Sequence, residues 1–470
     1  MRKPSPIRRL ISTVLLVAAA SCAQADEIDD YINAEVARQQ VPGLALAIMR
    51  HGELVRAQGY GFANLEHHVP VHPDTLFQSG AVGMQFTAVA VMLLVEDGKL
   101  RLDESVRTYL PEAPRSWQPI TLRQMLNHTS GLATTPSGEF RRDYSDEELL
   151  AIIYGQPLNF RAGTRWSFSY TGYLTLGMLI KRVSGEFYAD LLARRLFAPL
   201  GMHTARLIDY RAVIPNRAEG YEATADGLRH PEWISPTANS TADGSLYLSV
   251  LDYARWEAGV FGRKVLKPES WAEIAQPARI ASGRTYPYGL GWYLEHSAGQ
   301  DIWRHAGRWQ GFNTFIIRYL GDELTIVALA NGDGGDAARI ARHVAGLLDA
   351  KLAQPAGAPL QGADLQLTDR IKEVVREIAA GKPNYADFAF ISRPEFDETM
   401  VANRLALQPL GRLQEIALLS SRQLGDDQVY RFRARYDQGP MDVNVTYTPG
   451  GKIAGLEFIR VHDWDAPMQE

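Results

Sequence analysis

The chain has 470 residues, with 49 basic and 54 acidic side chains, 46% apolar residues and a single cysteine. That length leaves room for two or three domains with a sizeable core, and the ordinary composition excludes collagenous, low-complexity and disulfide-framework proteins. The mildly acidic balance excludes binding of nucleic acid or anionic lipid through bulk charge.

The chain opens with Arg2, Lys3, Arg8 and Arg9, an apolar run from Leu10 to Ala20, and then Ala23-Gln24-Ala25. The run is too short to span a bilayer, so no transmembrane span is expected. Basic, apolar and small segments in that order read as a secretory signal peptide over residues 1–25. Its removal takes away four basic and no acidic groups and moves the net charge from −5 to −9. Cys22 falls inside the signal, so the exported chain has no disulfide and no thiol chemistry. The expected location is the periplasm. A lipoprotein anchor at Cys22 is the alternative, disfavoured by Ala19 where a larger aliphatic is usual.

Leu44 to Met49 and Leu54 to Gly59 flank Arg50-His51-Gly52-Glu53 and predict a hairpin. The histidines His67, His68 and His72 follow in a polar loop with no second ligand cluster, so no metal is expected. Gln85 to Glu96 is apolar along most of its length and stops at Asp97-Gly98, which predicts a buried helix. Thr314 to Arg318 and Leu324 to Ala330 predict strands, and Ala337 to Lys351 a helix. Strands, a helical middle, then strands and a final helix give an antiparallel sheet with helices packed on it and a helical insertion.

Residues 353–365, which include Pro355 and Pro359 among small residues, read as a linker between a domain over 26–352 and a smaller one over 366–470. In the latter, Leu367, Ile371, Val374, Val375 and Ile378 recur at helical spacing. Tyr430, Phe432, Ala434 and Tyr436 alternate with Arg431, Arg433 and Arg435, and Met441, Val443, Val445 and Tyr447 alternate likewise. After Pro449-Gly450-Gly451 come Ala454, Leu456 and Phe458. This is a small α+β module with a pattern similar to cystatin or NTF2-like domains. Its three arginines form either a solvated face or an anion site.

Several long stretches carry a further resemblance. They are Asp74-Thr75-Leu76-Phe77, Gln85-Phe86-Thr87-Ala88, Leu122 to Leu132, Phe160 to Leu179, Phe197 to Met202, Tyr288-Gly289-Leu290-Gly291-Trp292 and His305 to Phe312. Over about residues 30–350 the chain resembles the serine β-lactamase and penicillin-binding-protein superfamily, in particular its class C-like branch. The resemblance implies an α+β fold: an antiparallel sheet flanked by helices, with a helical subdomain and a cleft between them.

That family's chemistry uses three clusters. A Ser-x-x-Lys turn places nucleophile and base on one helix face; here the tetrad is Ala81-Val82-Gly83-Met84. A Tyr-x-Asn shuttles a proton and orients substrate; here it is Phe168-Ser169-Tyr170. A Lys/His-x-Gly on a sheet-edge strand positions substrate, and this one survives as His305-Ala306-Gly307. The chain contains no Ser-x-x-Lys and no Gly-x-Ser-x-Gly elsewhere. Loss of a serine nucleophile costs on the order of a millionfold in turnover, about 8 kcal/mol. The resemblance also implies backbone N–H donors at Ala81 and Arg308, which side-chain change does not remove. A cleft that holds a carbonyl or carboxylate without acylation is therefore expected.

Other residues carry two readings. Ser79, two residues before Ala81, is a candidate displaced nucleophile, disfavoured by the lack of a lysine nearby; Ser130 is a turn or cap residue, and Ser169 points away from the cleft. Tyr170 is a replacement acid or base, or an aromatic that fills the site. His305 orients a ligand or bonds to backbone, and Arg308 and Trp309 line a ligand mouth or do not. The expected function is that of an exported, catalytically silent relative that binds a cell-wall peptide or an envelope protein, with no cofactor. The alternative is an active serine hydrolase of esterase, peptidase or β-lactamase type using a displaced nucleophile. A purely structural envelope protein is the third possibility.

Overall fold

The computed structural model describes residues 27–224, 226–353, 360, 365–389 and 393–461. The expected signal peptide, Cys22 and nearly all of the expected linker lie outside the described residues.

Two compact units form: one runs through residue 278 and resumes from 287 to 354, and the other comprises residues 279–286 with 355–470. Chain order alone assigns residues 279–286 to the larger unit. They group with the second because the Gly425 N–H donates to the Thr285 carbonyl at 3.0 Å.

The larger unit is built on a seven-stranded antiparallel sheet. Its strands are β1 (Gly43–Arg50), β2 (Glu53–Asn64), β3 (Val69–Pro70), β4 (Tyr293–Ser297), β5 (Gln300–Trp309), β6 (Phe312–Tyr319) and β7 (Leu324–Ala330). Their order across the sheet is β4-β5-β6-β7-β1-β2-β3. The first and last thirds of the domain's sequence thus meet in the centre, where Leu44 pairs with Ala330 and Arg50 with Leu324. The hairpin expected at Arg50 to Glu53 is present, with Arg50 opposite Glu53.

Both faces of the sheet are covered, which explains the unbroken apolar runs of β1 and β7. Leu44, Leu46 and Ile48 face a core shared with Ile340 and Val344 of a helix at Ala337–Leu348. Alternate residues Ala45, Ala47 and Met49 face the main core. At its heart is α1 (Met84–Glu96), buried without interruption from Met84 to Leu94. A helix apolar on all sides belongs inside a protein, not on its surface. Against it packs α2 (Tyr170–Ser184), started by the Ser169 side chain and ended by Gly185 in the left-handed region.

The second unit is a four-stranded antiparallel meander: β8 (Leu413–Leu424), β9 (Asp427–Tyr436), β10 (Gly439–Tyr447) and β11 (Ile453–Arg460). Ile371, Val374, Val375 and Ile378 of the helix Leu365–Ala379 share its core with Phe432, Ala434 and Val443. A second helix, Arg393–Leu407, and the strand β8 have no counterpart in the sequence expectations.

The arginine face of β9 is not an open anion site. Arg431 and Arg433 both donate to the carboxylate of Asp442 at 2.8 Å, and Arg435 pairs with Glu415. Asp442 is 1% exposed, a buried acid in the middle of an otherwise apolar strand pattern.

Candidate active site and adjoining cavity

Two glycines clamp the segment that leads into α1. Residues Gly80–Gly83 form a 3-10 turn beside β5. A Cβ on Gly307 of β5 would lie 2.1 Å from the Ser79 carbonyl oxygen. A Cβ on Gly244, at φ +132°, would lie 1.9 Å from the Gly80 carbonyl oxygen and 3.1 Å from the Ala81 nitrogen. Only glycine permits such approach of backbone to backbone. The Thr314 hydroxyl adds a hydrogen bond to the Ser79 carbonyl at 2.7 Å, and the Ser79 N–H donates to the Leu246 carbonyl at 2.8 Å.

Within this frame Ala81 and Met84 sit three residues apart, the spacing that eclipses on a 3-10 turn. Both join the main apolar core; Ala81 is 5% exposed and Met84 0%. The tetrad that the resemblance matches to Ser-x-x-Lys thus carries a methyl group and a thioether. The hydroxyl of Ser79, two residues before Ala81, is buried and donates to the Gly244 carbonyl at 2.6 Å. Ser130 likewise accepts from the Leu132 N–H at 3.3 Å, as a turn residue does.

Ser169 caps α2: it accepts from the Gly172 N–H at 3.1 Å and donates to the Ala133 carbonyl at 2.7 Å. This leaves Phe168 and Tyr170 on either side of the cap. The Phe168 ring lies 4.3 Å from the His128 imidazole and 5.1 Å from the Tyr170 ring, centroid to centroid.

His305 lies where β5 changes character. The pairing of β4 with β5 ends at Tyr293 opposite Arg304, so the strand is interior up to Arg304 and an edge only beyond it. The imidazole is buried. Its Nδ1 is 2.7 Å from the Ala306 carbonyl, which can only accept, so Nδ1 carries the proton and Nε2 accepts from the Tyr288 hydroxyl at 3.0 Å. Burial pulls its pKa down to about 4. Both ring nitrogens thus have partners within the protein, Nδ1 on the Ala306 carbonyl and Nε2 on Tyr288. Arg308, three residues on, has an exposed side chain, and its backbone nitrogen lies 2.6 Å from the position a Gly80 Cβ would take.

Two groups were missed in the sequence. His128, at φ +62°, is buried with its Nδ1 accepting from the Ser169 N–H at 3.1 Å and no partner for Nε2. Burial first, then the neighbouring His305, holds its pKa well below the usual imidazole range. His128 falls within Leu122 to Leu132, a stretch that carried the resemblance, which was the available signal. Asp243 had none, since its apolar surroundings come from distant segments.

Asp243 and Tyr170 line one cavity of about 150 Å³, together with Phe140, Tyr144, Leu174 and Trp309. The Thr241 hydroxyl donates to the Asp243 carboxylate at 2.5 Å, and burial pushes that carboxyl up to about 6. Burial, then Asp243, raises the Tyr170 phenol to about 12. Tyr170 therefore walls a space; the cavity beside it is open. Among the described residues, no three His, Cys, Asp or Glu side chains are grouped to hold a metal ion, and no helix is long and apolar enough to cross a membrane.

A large antiparallel sheet covered by helices, with a buried helix starting at the clamped turn, defines a protein of the β-lactamase and penicillin-binding-protein fold. The chain belongs to the beta-lactamase family, whose model matches residues 28–350. It is 27% identical over 314 residues to penicillin-binding protein 4* of Bacillus subtilis, covering 63% of this chain and 69% of that one. It is 27% identical over 311 residues to a D-aminopeptidase of Gluconobacter oxydans, covering 64% of this chain and 58% of that protein, little more than half its length. Among solved structures, the octameric penicillin-binding protein homologue from Pyrococcus abyssi superposes with a TM-score of 0.60 at 22% identity, covering 93% of this chain and 96% of that one. The D-amino acid amidase from Ochrobactrum anthropi SV3, complexed with D-phenylalanine, gives 0.60 at 24% identity, covering 70% and 98%. These two similarities establish the fold.

Proposed function

We propose that this protein is an exported, catalytically silent member of the beta-lactamase family that binds a cell-envelope ligand. A cell-wall peptide is the first candidate ligand, and an envelope protein docked on the C-terminal module is the second. One observation carries the reading: methyl, thioether and phenyl groups at Ala81, Met84 and Phe168 stand where acyl transfer needs a hydroxyl, an amine and a phenol. The commitment of the Ser79 hydroxyl to the Gly244 carbonyl supports it, because a serine without a basic partner is a weak nucleophile.

The names of the relatives favour a second reading, a hydrolase acting on peptides or amides of D-amino acids. That reading requires a nucleophile outside the three clusters. Intact-mass spectrometry of the protein after incubation with a fluorophosphonate and with a penicillin separates the two. No mass shift is expected with either reagent. A stoichiometric adduct, mapped to any serine, overturns catalytic silence.

A further inference from the structure

The cavity beside the clamped turn has a chemistry of its own. Its volume of about 150 Å³ is that of a site that accepts a benzene ring. Its walls are tied to one another: the Trp309 indole N–H donates to Asn239 at 2.8 Å, the Ser235 N–H to the Phe140 carbonyl at 2.8 Å, and the Tyr144 N–H to the Thr237 hydroxyl at 3.0 Å. Phe140 meets Trp309 edge to face, with centroids 6.0 Å apart. Such a pocket is formed before any ligand arrives.

The least exposed charge on its walls is Asp243. The carboxylate accepts from Thr241, and among the described residues no cationic side chain pairs with it. Arg142, which also lines the cavity, bonds to Glu148 at 3.2 Å and lies over the Tyr144 ring. Glu139 adds a second acid to the lining. A half-buried carboxylate without a counter-charge is costly, and a cation held beside it relieves that cost.

We propose that this cavity binds an aromatic primary amine, with the ring among Phe140, Leu174, Tyr170 and Trp309 and the ammonium donating to Asp243. The proposal rests on the reading of the domain as a ligand-binding protein and gives that ligand its chemical class. Neither Ala81 nor Arg308, whose backbone N–H groups the resemblance assigned to a carbonyl or carboxylate, lines this cavity.

Titration calorimetry of the full chain with benzylamine, benzyl alcohol and phenylacetate at pH 7.5 tests it. Benzylamine is expected to bind on the order of tenfold or more tighter than the other two, the worth of a charge-assisted hydrogen bond. Asp243→Asn should erase that preference, and Ala238→Phe, which fills the cavity, should abolish binding of all three. The unmutated protein gives a second readout: affinity for benzylamine should fall as pH drops through about 6 and Asp243 takes up a proton. The phenols of Tyr170 and Tyr188 that face Asp243 have raised pKa values and stay neutral throughout, which leaves Glu139 and Arg142 as the other charges on the cavity. Phenylacetate binding as tightly as benzylamine, a preference that survives Asp243→Asn, or no benzylamine binding at all overturns the proposal. A fluorophosphonate adduct alongside an intact amine preference would sink catalytic silence alone.

Discussion

The Ser79 hydroxyl donates to the Gly244 carbonyl at 2.6 Å, across the gap where Gly244 comes nearest the turn that carries Ala81. Ser79, two residues before Ala81, is thereby a strut between two segments 165 residues apart. Its proton is directed at an amide oxygen, which has no capacity to remove it.

Replacing Ser79 by alanine should therefore cost about 1–2 kcal/mol, because the Gly244 carbonyl loses a donor in a dry environment. Chemical denaturation would measure the loss. Intact-mass spectrometry of the same variant should match the parent, and an adduct present in the parent but absent from Ser79→Ala would restore the displaced nucleophile.

Restoring the family's polar groups should destabilise the domain. Met84 is fully buried in the main core, so Met84→Lys inserts an unpaired ammonium there and should cost about 3 kcal/mol or more. Phe168→Tyr adds its oxygen to a half-buried ring and should cost less than about 1 kcal/mol. The combined Ala81→Ser, Met84→Lys, Phe168→Tyr protein should melt below the parent. A higher melting temperature would count against the idea that the domain gained stability by giving up these groups.

Two kinds of poorly solvated titratable group should bend the pH profile of stability in opposite directions. His305 has a folded pKa near 4 against 6.5 when exposed, so the unfolded chain binds its proton first and stability falls as pH drops from about 6.5 to 4. His128 shifts the same way. Asp243 is raised from 3.8 to about 6, so its contribution is present below pH 4 and is lost as pH rises through 6. In urea titrations between pH 4 and 8, His305→Gln should flatten the acid limb, and Asp243→Asn should stabilise more at pH 8 than at pH 4.5. The reverse order for Asp243→Asn would show that the carboxylate is stabilised where it lies.

In the C-terminal unit, Asp442→Ala leaves Arg431 and Arg433 without their shared acceptor and should cost about 2 kcal/mol, less than a fully buried pair because both arginines are partly solvated. If Asp442→Ala melts with the parent, the arginine face is held by something other than this carboxylate.

Periodicity exposed the central strands because both faces of the sheet are covered, and β7 runs from Leu324 to Ala330 as the apolar run does. It exposed α1 for the same reason. The strand β8 was not legible: its buried residues Leu413, Ile416, Leu418 and Leu419 do not alternate, since the pairing with β9 shifts register between Leu413 and Glu415 and again between Leu418 and Ser420. Among candidate site residues, Ala81, Met84 and Phe168 were named from the resemblance to the family's motifs, which local sequence carries. The orientation of His305 depended on Tyr288, and the environment of Asp243 on Tyr170 and Trp309, contacts that no local pattern encodes.

The glycine clamp around residues 79–83 has a consequence for any survey of tolerated substitutions. Because the turn is held by main chain against main chain, sensitivity should concentrate at positions that carry no side chain. In a saturation scan read out by folding, Gly244 and Gly307 should reject even alanine, whose Cβ would meet a carbonyl oxygen near 2 Å, and position 81 should accept serine with little loss. The map of intolerance would thus trace the main-chain frame of the turn and pass over position 81 at its centre.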